Sequence, residues 1–161
     1  MFPRGHAGIA MVLNSILILI LSPEPTTASL GSVLVITSSI VPDTDMASTP
    51  LNLEHRGLTH TIWFCITLST LIFLALNVAR TYTLLNTKSI FYATVATLIG
   101  SLSHLFSDAL NGRIDIISVN NVIEFDLELG SSIIRSESVY YNNVLFIIGS
   151  ILNVITVFYV F

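Results

Sequence analysis

Thr61–Val78, TIWFCITLSTLIFLALNV, is 18 residues long and carries no charge. As a helix it measures about 27 Å, close to the ~30 Å hydrocarbon core of a bilayer, and it is the clearest membrane span in the chain. The rest of the chain agrees with a membrane reading. It is 53 % hydrophobic and 10 % charged over 161 residues, with a mean hydropathy of +0.83. That composition excludes an ordinary soluble globule. The net charge of −4 leaves no basic footprint for nucleic acid. The single cysteine, Cys65, lies inside the apolar run, so no disulfide framework exists.

Downstream, Arg80 and Lys88 bracket a polar turn, and Ile90–Phe106 reads as the next span, with Gly100, Ser101 and Ser103 offering a close-packed face. Val144–Phe161 reads as the last. Upstream, Ala7–Leu21 and the shorter, Ser/Thr-rich run Ala28–Val41 form a helical hairpin around Pro23 and Pro25, with Gly31, Ser32, Ser38 and Ser39 permitting close approach. A signal peptide is the rival reading of the first run, with Arg4 ahead of it and Thr27-Ala28-Ser29 as the cleavage site. Between the last two spans the text changes. Ile114–Val119 is β-branched, Asn120-Asn121 marks a turn, and in Glu124–Leu129 acids alternate with apolar residues at the period of a strand. The expectation is one domain over residues 1–161: an all-α membrane protein of about five transmembrane or membrane-embedded helices, with a small β-hairpin-like insert at 113–138. The insert's carboxylates read as a solvated strand face.

The polar residues concentrate between two apolar runs. Val41–His60, VPDTDMASTPLNLEHRGLTH, holds Asp43, Asp45, Glu54, His55, Arg56 and His60. Carboxylates and imidazoles are ligands for a borderline divalent metal, and Arg is shaped to hold a phosphate. Alternation of five spans puts His6, Asp43, Asp45, His60, His104 and Asp108 on one side of the bilayer. His104 and Asp108 are four apart on a helix, so both project from one face. Ionisable groups at a membrane edge are costly unless paired or functional. Asp43-Thr44-Asp45 follows Pro42, which predicts an extended or turned segment, and turn chemistry alone accounts for such a pair. In HRGLTH, His55 and His60 flank an Arg-Gly pair, and Thr59 is placed to cap the third span. A lone His near a terminus, such as His6, is often incidental.

Taken together, His6, VPDTD, HRGLTH and SHLFSD resemble the YdjM-type family of membrane-bound metal-dependent hydrolases, over about residues 1–112. That family is distantly similar to zinc-dependent phospholipase C enzymes. The resemblance implies metal binding by His6, Asp43 or Asp45, His60, His104 and Asp108, with His55 a further candidate ligand. On this reading the protein is a multi-pass cell-membrane hydrolase that uses a metal-activated water on a phosphoester, among the membrane lipids it meets first. The metal is expected to be zinc, with manganese or iron also suited because the ligands are oxygen and nitrogen without thiolate. The carboxylate left over from Asp43 and Asp45, or Glu54, serves as general base, and Arg56 grips a phosphoryl oxygen. The alternative is a non-catalytic scaffold or regulatory partner-binding protein with a structural metal. Two departures stand out: Asn111 where family members commonly have Thr, and a strand-like insert in place of a Pro- and Trp-rich linker. Arg4, Arg56, Arg113 and Arg135 on the metal side, against Arg80 and Lys88, predict a cytoplasmic site.

Overall fold

The computed structural model describes residues 2–46, 58–83, 85–110, 114–119, 123–127 and 138–160, with backbone only at 45–46 and in the two strands. Five α-helices carry the fold: α1 (Pro3–Leu21), α2 (Pro25–Ser38), α3 (Ile62–Ala79), α4 (Thr87–Ala109) and α5 (Val139–Tyr159). Four of them, all but α2, are long and apolar enough to cross a membrane. At 14 residues α2 extends only about 21 Å. The alternation expected from five spans therefore holds through four spans and one short embedded helix.

The ends of the helices follow local chemistry. Pro3 and Pro25 occupy first-turn positions, where the missing N–H costs nothing. For that reason α1 begins four residues before the apolar run, with His6 inside it. Ser22, at φ 41°, ends α1 in the left-handed region and donates its N–H to the Ile18 carbonyl at 2.8 Å. Thr61, not Thr59, caps α3, accepting from the Phe64 N–H. Asn86 caps α4 through the Ser89 N–H at 2.8 Å. The DTD segment is neither extended nor a simple turn: Val41–Met46 is a 3₁₀ helix. A second 3₁₀ turn, Leu58–His60, leads into α3. In the insert, the backbone of β1 (Ile114–Val119) pairs antiparallel with β2 (Ile123–Leu127), with an irregularity between Asp115 and Ile117.

In hydrocarbon, polar side chains within spans must find partners on the protein. Ser15, Ser69 and Thr97 donate to carbonyls one turn back, on Met11, Cys65 and Ala93. Mid-membrane, Asn14 of α1 joins three helices. Its amide donates to Ser32 of α2 and its oxygen accepts from the Tyr92 hydroxyl of α4, both at 3.0 Å. Small residues set the helix spacing. α1 runs parallel to α5, with Arg4 donating to Asn143 and Asn153 to the Met11 carbonyl. A Cβ added at Gly8 would stand 2.5 Å from the backbone of Leu145. On α4, a Cβ at Gly100 would meet the Val35 carbonyl of α2 at 2.4 Å. Cys65 is buried beside Leu105 and Ala109. The outer faces of α3 and α5 expose Ile66, Leu71, Leu74, Ile147, Ile151 and Phe158, as lipid-facing surfaces do.

Candidate metal centre

Five ionisable side chains meet where α1 begins, α2 and α4 end, and α3 is about to begin. α1 delivers His6 from its first turn, and the 3₁₀ helix after α2 delivers Asp43. His60 comes from the turn before α3, and α4 delivers His104 and Asp108 from its last turns. All three histidines are buried, and Asp43 and Asp108 expose only 11 % and 4 % of their side chains.

The donor atoms point inward. His104 Nε2 lies 3.1 Å from His60 Nε2 and 3.5 Å from both Asp43 Oδ1 and Asp108 Oδ2. His60 Nε2 is 3.7 Å from each of the same two oxygens. His6 Nε2 is 3.4 Å from Asp108 Oδ1 and 3.8 Å from Asp43 Oδ2. Ligands at ~2.1 Å from a tetrahedral ion stand about 3.4 Å apart, so these spacings are edges of a coordination polyhedron. His6, Asp43, His104 and Asp108 offer donor atoms all within 4.8 Å of one another, a group that could hold a metal ion.

Hydrogen bonds behind the rings set their tautomers. The Ser39 carbonyl can only accept, so His104 Nδ1, 2.8 Å away, donates to it. Ser107 Oγ donates its one proton to the His104 carbonyl at 2.9 Å, so it accepts from His6 Nδ1 at 2.5 Å. In the neutral rings, both Nε2 lone pairs then face the carboxylates. This is the arrangement of metal-ligating histidines, whose other nitrogen is held by a carbonyl or hydroxyl. Thr59 Oγ1 sits 3.1 Å from His60 Nδ1, serving that ring where it had been expected to cap the helix.

Asp43 tests the fit to a cation. Burial pushes its carboxyl up, but the neighbouring imidazoles of His60, His104 and His6 outweigh this and hold it below the usual carboxylate range. The stabilisation this carries is present above the ordinary carboxylate pKa and is lost as pH falls through the depressed value. Its Oδ2 is nonetheless buried with no hydrogen-bond partner among the described residues. A buried carboxylate oxygen without a donor is costly, and a divalent ion removes the cost. The residues present therefore fit a metal.

The other sequence candidates fall differently. The Asp45 side chain, Glu54, His55 and Arg56 lie outside the described residues. Ser107 and the Ser39 carbonyl were missed from sequence. The one signal for Ser107 in the sequence is its place on the turn between His104 and Asp108. Ser107→Ala is expected to weaken metal affinity by about 10–100-fold with the fold intact, measured by competition with a chromogenic chelator.

The sequence that builds this site was compared with known proteins. No curated protein and no solved structure matches the chain. The family model described as YdjM inner membrane protein matches residues 1–157, and the chain belongs to that family.

Proposed function

We propose that the protein is a membrane-bound metal-dependent hydrolase that cleaves a phosphoester at the membrane surface. One observation carries the reading: three imidazoles and two carboxylates converge with coordination spacing at the end of a membrane bundle, where a lipid headgroup or isoprenoid phosphate lies nearest. His6, His60, His104, Asp43 and Asp108 would hold the ion, zinc first, with manganese or iron also suited to a set of oxygen and nitrogen ligands. Such an ion supplies Lewis acidity and brings the pKa of water it holds towards ~7. Asp45 or Glu54 takes up the proton. Arg56 clamps two phosphoryl oxygens in its planar fork, and His55 stands beside it in sequence. The arginine balance, with Arg4, Arg56, Arg113 and Arg135 on this side, supports a cytoplasmic site.

Near-complete burial of the three histidines favours a second reading, in which a closed metal shell ties helix ends together in a scaffold or partner-binding protein. The test separates the two. Metal-loaded protein in detergent is given model phosphodiesters and lipid phosphate esters, beside Arg56→Lys. For a phosphoesterase, Arg56→Lys keeps its metal and fold but loses on the order of 10²-fold in turnover, the scale of losing one charge-stabilising donor. Unchanged turnover removes Arg56 from the mechanism. A wild type without metal-dependent activity on any of these esters turns the assignment to the scaffold.

A further inference from the structure

We infer that the centre is built for two adjacent divalent ions bridged by Asp43 and Asp108, with His6 serving one ion and His60 with His104 serving the other. The inference rests on the metal reading above and deepens it.

Both carboxylates divide their oxygens in the same way. The pair Asp43 Oδ2 and Asp108 Oδ1 faces His6 Nε2, at 3.8 and 3.4 Å. The pair Asp43 Oδ1 and Asp108 Oδ2 faces His60 Nε2, at 3.7 Å each, and His104 Nε2, at 3.5 Å each. A carboxylate that serves one ion gives it one oxygen, or chelates it with both. When a carboxylate gives one ion a single oxygen, the other turns to a hydrogen-bond donor, and neutral His6, whose Nδ1 donates to Ser107, offers none at Nε2. Here both carboxylates turn one oxygen to His6 and the other to His60 and His104.

The rings divide along the same line. A bound imidazole has its ring centre about 3.2 Å from the ion, so two rings on one tetrahedral ion have centres about 5.2 Å apart, and two at a right angle about 4.5 Å. His60 and His104 meet edge-on with centroids 5.0 Å apart, which suits one shared ion. His6 and His104 are stacked, with centroids 4.0 Å apart and planes within 23°. That is closer than in either of these single-ion arrangements. Stacked rings whose Nε2 atoms face the same two carboxylates aim at neighbouring points, separated by about the distance between the rings. Hydrolytic two-metal sites have their ions ~3.5–4 Å apart. Asp43 Oδ2, buried without a hydrogen-bond partner among the described residues, is on the His6 side, where it and Asp108 Oδ1 would join His6 as that ion's ligands.

The experiment uses the full chain in detergent, dialysed against Mn²⁺, with the bound ratio read by elemental analysis and the spin state by electron paramagnetic resonance. Wild type is expected to bind two ions per chain with an exchange-coupled spectrum. His6→Ala is expected to lose one of the two and to show the uncoupled, hyperfine-split spectrum of isolated Mn²⁺. One ion per chain in wild type, with an uncoupled spectrum, overturns the two-ion inference and leaves the metal reading standing. No bound ion overturns both. Two coupled ions retained in His6→Ala overturn the assignment of His6. Should that variant not fold, the wild-type ratio and spectrum decide.

Discussion

Asp108→Ala is expected to empty the centre. Asp108 faces all three imidazoles, with one oxygen 3.4 Å from His6 and the other 3.7 and 3.5 Å from His60 and His104. Removing it leaves, among the described residues, three imidazoles and one carboxylate. The loss of affinity should exceed the ~100-fold that marks the upper end for groups that only support a ligand. Thermal unfolding gives a second readout. A ligand present at a thousand times its Kd stabilises the folded state by about 4 kcal/mol, so chelation should lower the wild-type Tm by several degrees. The same treatment should leave Asp108→Ala unmoved, because that protein has nothing to lose. Equal metal content in the variant and the wild type would falsify the role of Asp108.

Gly8→Val has the largest expected effect on the fold. A Cβ at residue 8 would lie 2.5 Å from both the carbonyl carbon and the oxygen of Leu145, and 2.7 Å from the Phe146 nitrogen. All three are backbone atoms of α5, so no side chain can swing aside and the two helices must separate. Gly149 closes the same contact from the other side, where an added Cβ would meet the Gly8 oxygen at 2.3 Å. Overpacking ordinarily costs 1–3 kcal/mol, and a backbone-to-backbone clash belongs at about 3 kcal/mol or above. His6 lies half a turn before Gly8 on the same helix, so displacing α1 also draws His6 from Ser107. Gly8→Val should therefore lose both unfolding resistance in detergent and metal content. A variant with wild-type unfolding and metal would show that α1 and α5 do not touch at this point.

Much of the site could be read from the sequence because charge is scarce in this chain. Alternating the apolar runs across a bilayer was enough to bring His6, Asp43, His60, His104 and Asp108 to one side, and the ends of α3 fell within a residue of Thr61–Val78. Hydropathy was a poorer guide elsewhere. α5 begins at Val139, five residues before its apolar run, because Tyr140, Tyr141, Asn142 and Asn143 lower the local hydropathy without opposing a helix. The Ala28–Val41 run gave no sign that its helix would stop at Ser38 and tighten into a 3₁₀ turn. The bonds that orient the rings join residues 101 and 65 positions apart, His6 to Ser107 and His104 to Ser39. The Asn14–Tyr92 bond spans 78. Contacts between such distant positions leave no periodicity in a single sequence.

The shortness of α2 has a consequence for the lipid itself. A 14-residue helix covers roughly two thirds of the ~30 Å hydrocarbon slab. It starts at Pro25 on the far side, so its other end stops about 9 Å below the near headgroups in an unperturbed bilayer. α2 is not sheltered all round, since Val33 on its outer side is 62 % exposed. Hydrophobic mismatch of this kind is relieved when the surrounding acyl chains shorten or compress. The bilayer would then dimple on the α2 flank, lowering the headgroup plane toward Asp43 and making membrane thickness a determinant of how deep the cluster lies beneath the surface.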